Sequence, residues 1–163
     1  MNLSANMMLN EKLDYIAQGA TIDEQVDRAR NVARIDGTFG PLMRMAVIKE
    51  EKISGLPIGM PDTYKIDSAM PDGIANTTTR QEFRRIKNFG PTGPMQNVPT
   101  YKREINWIQI MEGLHWKEAN VLIHIKDQTL FLIYPNMFEV LTKLGTQINI
   151  ENIPEKKRTK SKI

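Results

Sequence analysis

The densest apolar patterning lies between residues 101 and 126, YKREINWIQIMEGLHWKEANVLIHIK. In its first half Tyr101, Ile105, Ile108, Met111 and Glu112 recur at helical spacing, which predicts a helix with one apolar face. Pro99 and Thr100 supply its start, because proline discourages helix before it and threonine can cap. Gly113 supplies its stop. In the second half Ala119, Leu122, Ile123 and Lys126 align, and Val121 and Ile125 widen the apolar arc. A helix apolar over most of its circumference is buried on more than one side. So short a join forces the two helices to be close neighbours, as an αα-hairpin or a helix-turn-helix-like corner on which the rest of the chain packs. The second helix is too apolar to read DNA, a task that asks for polar and basic side chains.

The remaining pattern is helical in short pieces. Residues 1–8 are expected to be loose. A helix is predicted over 9–18, with Leu9, Leu13, Ile16 and Ala17 on one face and Gly19 ending it. Thr21-Ile22-Asp23-Glu24 has capping-box spacing, and Ile22, Val26, Ala29 and Ala33 follow at helical intervals up to Asp36-Gly37. A shorter helix is predicted over 41–47, with proline in its first turn. Residues 54–79 then break every periodicity with prolines and glycines. Their scattered Ile58, Met60, Tyr64, Ile66, Met70 and Ile74 favour an arm laid on the body over a solvated linker. Thr79 is the expected cap of a helix RQEFRRIKN, with Phe83 and Ile86 facing in. After the central pair, 127–128 reads as a turn and 129–134 as an apolar, β-prone stretch. A last helix runs from 135 or 136 to 144, ended by Gly145, and 147–151 alternates like an edge strand or extended arm. The prediction is a mainly α fold: one domain over 1–154 with about six short helices, an irregular Pro/Gly-rich arm at 54–79 and extended termini, then a basic tail at 155–163.

Composition narrows the chemistry. With 163 residues the chain is long enough for one domain. It has no cysteine, which removes disulfides, thiolate catalysis and cysteine-ligated zinc, and fits a reducing cytoplasm. No apolar run approaches the ~18 residues of a membrane span, and the N-terminus lacks the pattern of a secretory signal, so no membrane is expected. The net charge of +3 is unevenly placed. The five cations and one acid of 155–163 leave 17 basic and 18 acidic residues elsewhere, so the high isoelectric point reports the tail.

Two basic clusters are the candidate sites. Arg80, Arg84, Arg85 and Lys87 lie on a short helix and suit phosphate contact, arginine by paired hydrogen bonds. The plainer alternative is a solvated face paired with Glu82, Glu104 or Glu112. Lys156, Lys157, Arg158, Lys160 and Lys162 form an arm that suits nonspecific nucleic-acid binding, or else a solubilising end. His115 and His124 lack the converging acids or further ligands of a catalytic or metal site, and are expected to cap or hydrogen-bond. Trp107 and Trp116 are expected in the core and rim of the helical pair. The stretches around Gly37 and Gly90 lack the lysine and strand context of phosphate or dinucleotide loops. No catalytic residue, metal or cofactor is assigned.

LDYIAQGATIDEQVDRARNVARIDGTFGPLMRM, RQEFRRIKNF, YKREINWIQIMEGLHWKEANVLIHIKDQ and YPNMFEVL, in this order, resemble a family of unknown function carried by T-even-like tailed phages, especially those of cyanobacteria. The resemblance covers most of 10–144. It implies a phage origin, a mostly α fold, and a place in the host cytoplasm or the virion. It implies no activity. The longer middle segment and the basic tail depart from the family pattern. The expectation is therefore a non-enzymatic accessory or adaptor acting by binding, with a phage or host protein as partner and nucleic acid as a further possible one. The alternatives are a virion component clamped to capsid or tail neighbours by its arms, and an effector that binds a bacterial enzyme.

Overall fold

Thr21 is where local sequence and structure agree most closely. Its hydroxyl accepts the Glu24 N–H at 3.1 Å. Glu24 reaches back to the Ala20 N–H at 2.9 Å, one residue earlier than a capping box requires. That start launches α2 (Ile22–Ile35), which buries Val26, Ala29 and Val32. The computed structural model describes residues 3–62, 64, 70–71 and 75–145. Before α2 comes α1 (Leu9–Ala17); after it come α3 (Phe39–Val47), α4 (Phe83–Lys87), α5 (Thr100–Gly113), α6 (Trp116–Asp127), α7 (Leu130–Ile133) and α8 (Met137–Leu144). Single 3-10 turns lie at Lys49–Glu51 and Pro94–Asn97. The fold is mainly α, and the described residues contain eight α-helices and no strand. The expected edge strand at 147–151 and the basic tail lie outside the described residues.

α6 occupies the centre, packed against α1, α3, α5 and α7, while α2 lies across α1, α3 and α8. Its Ala119, Val121, Leu122, Ile123 and Ile125 are all buried, as an apolar arc that wide requires. His115 caps it by accepting the Lys117 N–H at 3.1 Å. Gln128 ends it with a left-handed φ of 56° and sends its amide to the carbonyls of Met45 and Ile48, at 3.1 and 2.8 Å.

Three local expectations fail for physical reasons. Residues 129–134 form the helical turn α7 where the sequence reads β-prone. No described strand is available to pair with them, so the backbone satisfies itself locally, Tyr134 N–H to Leu130 C=O at 2.9 Å. Thr79 does not cap α4, whose N-cap is Glu82; Thr79 is fully buried instead. The third concerns α5. Most of its predicted apolar face is turned outward, with Tyr101 62% and Ile105 51% exposed and Ile108 half-buried. Of that face only Met111 is buried, and the helix buries Arg103, Trp107 and Ile110 beside it. α5 carries two apolar stripes, and the one holding Trp107 removes more apolar area from water. Trp107 packs edge-on against Phe89 with ring centroids 5.2 Å apart.

Candidate functional site

Buried charge is concentrated in two places, and each holds distant segments together. The first joins the N-terminus to the centre. Lys12, almost wholly buried, binds Asp36 at 2.6 Å and the Ala5 carbonyl at 2.8 Å. Asp36 also accepts the Thr38 N–H at 2.9 Å and its hydroxyl at 2.6 Å. Burial alone would raise the Asp36 carboxyl, but the Lys12 ammonium and the two Thr38 donors outweigh it and hold the pKa below the ordinary value. Glu118, from α6, accepts the Leu9 N–H at 2.7 Å and so caps α1 across 109 residues of sequence. Here burial wins, and the Glu118 pKa is raised against the opposing Leu9 and Thr79 donors and the Lys12 charge. Glu118 Oε1 and the facing Thr79 Oγ1 make no hydrogen bond of good geometry. This cluster reaches the surface only at the longer Arg80 contact to Asp36, and its members stabilise one another.

The second concentration of charge fixes a surface loop. Arg103 spreads its guanidinium over four backbone carbonyls: Met95 at 2.9 Å, Gly55 at 3.0 Å, Val98 at 3.0 Å and Gln96 at 3.4 Å. Lys126 donates to the Pro57 carbonyl at 2.7 Å and pairs with Asp127. Asp127 accepts the Gly59 N–H at 2.8 Å. Three successive points of the loop, residues 55, 57 and 59, are therefore pinned to α5 and α6. The loop tip is Ile58, which is 87% exposed. Ile58 is thus no anchor, contrary to its expected role in the arm. Met60 and Tyr64 do pack inward, and burial and then the Glu112 charge raise the Tyr64 pKa. Ile66 and Ile74 lie outside the described residues.

Between this loop and α5 runs a groove of about 380 Å³. Leu56, Ile58 and Met60 form one wall, Trp107 and Ile108 the other, and Asp62 and Glu104 stand on its rims. Tyr101 and Ile105 carry the apolar surface beyond the α5 rim. Arg80, Arg84, Arg85 and Lys87 do not line it.

Arg80, which precedes α4, and Arg84, Arg85 and Lys87 on it are all exposed but are not a uniform basic face. Arg85 pairs with Glu82 at 2.7 Å, one of the expected neutralising contacts. Arg80 turns toward Asp36 at 3.6 Å. Arg84 and Lys87 form no ion pair with a described residue, and Lys87 stands near Glu50 and Glu51 around a shallower depression of about 310 Å³. Lys156, Lys157, Arg158, Lys160 and Lys162 lie outside the described residues. His124 bonds the Thr129 hydroxyl at 2.8 Å, and Trp107 and Trp116 take the core and rim positions expected of them.

Sequence reasoning missed Arg103, Lys126 and Glu118. All three sit among apolar residues at helical spacing, which was the available signal. Lys126 was placed on the apolar stripe of α6, yet nothing local names a partner 69 residues away. Among the described residues no helix is long and apolar enough to cross a membrane, and no three histidine, cysteine or acidic residues gather as a metal site. No family model, curated protein or solved structure matches the chain.

Proposed function

We propose that the protein is a non-enzymatic accessory or adaptor, of the tailed-phage kind its sequence resembles, that works by docking another protein on the face made by α5 and the 55–62 loop. One observation carries this reading. Buried charged groups normally serve the core, because taking them out of water costs several kcal/mol each. Here Arg103, Lys126 and Asp127 hold in place a loop whose tip is an exposed isoleucine. Whatever the clamp contributes to folding, holding an apolar lip in place also lowers the ordering cost of binding. Tyr101 and Ile105 extend the same lip along α5, and contiguous exposed apolar area of this kind is typical of interaction surfaces.

The nucleic-acid reading has less support from the described surface, since Arg80 and Arg85, two of the four cations in and just before α4, already face acids. A virion neighbour and a host enzyme remain the two sources from which a partner would come.

The test compares tagged full-length protein with a triple variant, Ile58→Asp, Tyr101→Ser and Ile105→Asp, and with a control, Leu132→Asp, on the exposed side of α7. Recovery of a stoichiometric partner by the first and third but not the second is expected. Equal recovery by all three overturns the assignment of the face.

A further inference from the structure

The groove has a chemical bias as well as a shape. Its walls are aliphatic and aromatic, and the charged groups that reach its solvent side are acids. Asp62 stands on the loop rim and Glu104 on the α5 rim. Glu112, exposed, lies on the outward face of α5 two turns beyond Glu104. The two described cations that hold the loop are otherwise engaged. Arg103 and Lys126 are buried and directed at loop carbonyls. Lys102 falls on the opposite flank of α5, about 160° around the helix from Glu104 at 100° per residue.

We infer that this face takes an extended segment of another polypeptide in which apolar residues alternate with lysine or arginine. The inference rests on the docking reading above and names its partner class. The stripe from Tyr101 to Glu112 rises about 16 Å along α5 at 1.5 Å per residue. An extended segment of about five residues matches that length at 3.3 Å per residue. Its alternate side chains point the same way, so two or three apolar anchors enter together against Trp107, Ile108 and Met60. The cations between them leave on the solvent side, from which their long flexible stems bend over to the rim acids. An acidic segment would meet three like charges, and a nucleic-acid backbone would meet the same repulsion.

Two fluorescent synthetic peptides test this on the full-length protein by anisotropy. In one isoleucine alternates with lysine, in the other isoleucine alternates with glutamate. The lysine peptide is expected to bind with one-to-one stoichiometry, about tenfold tighter than the glutamate peptide at low salt, with the preference shrinking as salt rises. In the double variant Asp62→Lys and Glu104→Lys the preference should reverse. Asp62 is exposed and Glu104 half-buried, so circular dichroism checks that the variant is folded. Equal binding of both peptides, or a preference that survives the charge reversal, overturns the inference while leaving the docking face standing. Binding of neither peptide also overturns it. The docking reading itself falls if the triple variant of the preceding section recovers its partner undiminished.

Discussion

Replacing Arg103 by methionine isolates the loop clamp from the core, because methionine keeps the length and apolar stem of arginine and deletes only the guanidinium. Four carbonyls lose their donor, three of them within 3.0 Å. Hydrogen bonds to a charged group contribute about 1.5–3 kcal/mol net, so simple addition would give about 6–12 kcal/mol. That sum is too large for two reasons. The fourth contact is long at 3.4 Å, and the residues that carry the carbonyls are all partly exposed, so water replaces part of what is lost. Dehydration of the guanidinium is also relieved. A net loss of about 3 kcal/mol is expected in urea unfolding at neutral pH. The effect should be uneven in space. Gly55 is held to α5 by this one side chain, so trypsin should cut at Lys52 much sooner in the variant than its global stability alone would require. Arg103→Lys should recover less than half, since a point charge cannot serve the 95–98 turn and Gly55 together. A change under about 0.5 kcal/mol with unaltered cutting at Lys52 would refute the clamp.

The same joint separates two glycines. Gly55 and Gly59 both have left-handed backbone, φ 80° and 83°, but a Cβ on Gly55 would lie 1.8 Å from Arg103 Nη1 while one on Gly59 meets open space. Gly59→Ala should therefore cost about 1–2 kcal/mol of backbone strain, and Gly55→Ala clearly more, by thermal unfolding. Lys12→Met leaves the buried Asp36 carboxylate with only the longer Arg80 contact at 3.6 Å and should cost about 3 kcal/mol at neutral pH. Because Asp36 has a lowered pKa, its contribution is present above the ordinary aspartate range and lost as pH falls through the folded value; the variant should lose that acid-side slope. Glu118 behaves oppositely. Its raised pKa makes its contribution greatest below the ordinary glutamate range, and that contribution is lost as pH rises through the folded value. Glu118→Gln keeps an acceptor for the Leu9 N–H, so its stability relative to wild type should rise from acid to neutral pH in urea titrations, and a fall would contradict the assignment.

Helix positions were legible because they follow local rules. The Thr21 cap, the glycine after the last helix and the apolar arc of α6 each encode a boundary or a buried face within a few residues. The orientation of α5 was not legible. Its two apolar stripes are nearly equivalent by spacing, and only the presence of Phe89 and the 95–98 turn decides which one is covered. The site was hidden for the same reason. Exposed Tyr101, Ile105 and Ile58 look like core in sequence, while Arg103 and Lys126, which look like surface, are core. Periodicity records that a face is apolar but not what covers it. The basic clusters, by contrast, stand out in composition, yet Arg80 and Arg85 spend charge on Asp36 and Glu82.

The central claim is that the outward stripe of α5 meets another protein. The most direct measurement is site-specific photocrosslinking in the native setting, with the reactive residue placed at position 105 and, separately, at position 84 on the basic helix. The account predicts one discrete polypeptide adduct from 105 and none from 84. Adducts from 84 alone, or nucleic acid as the attached species at either position, would contradict it.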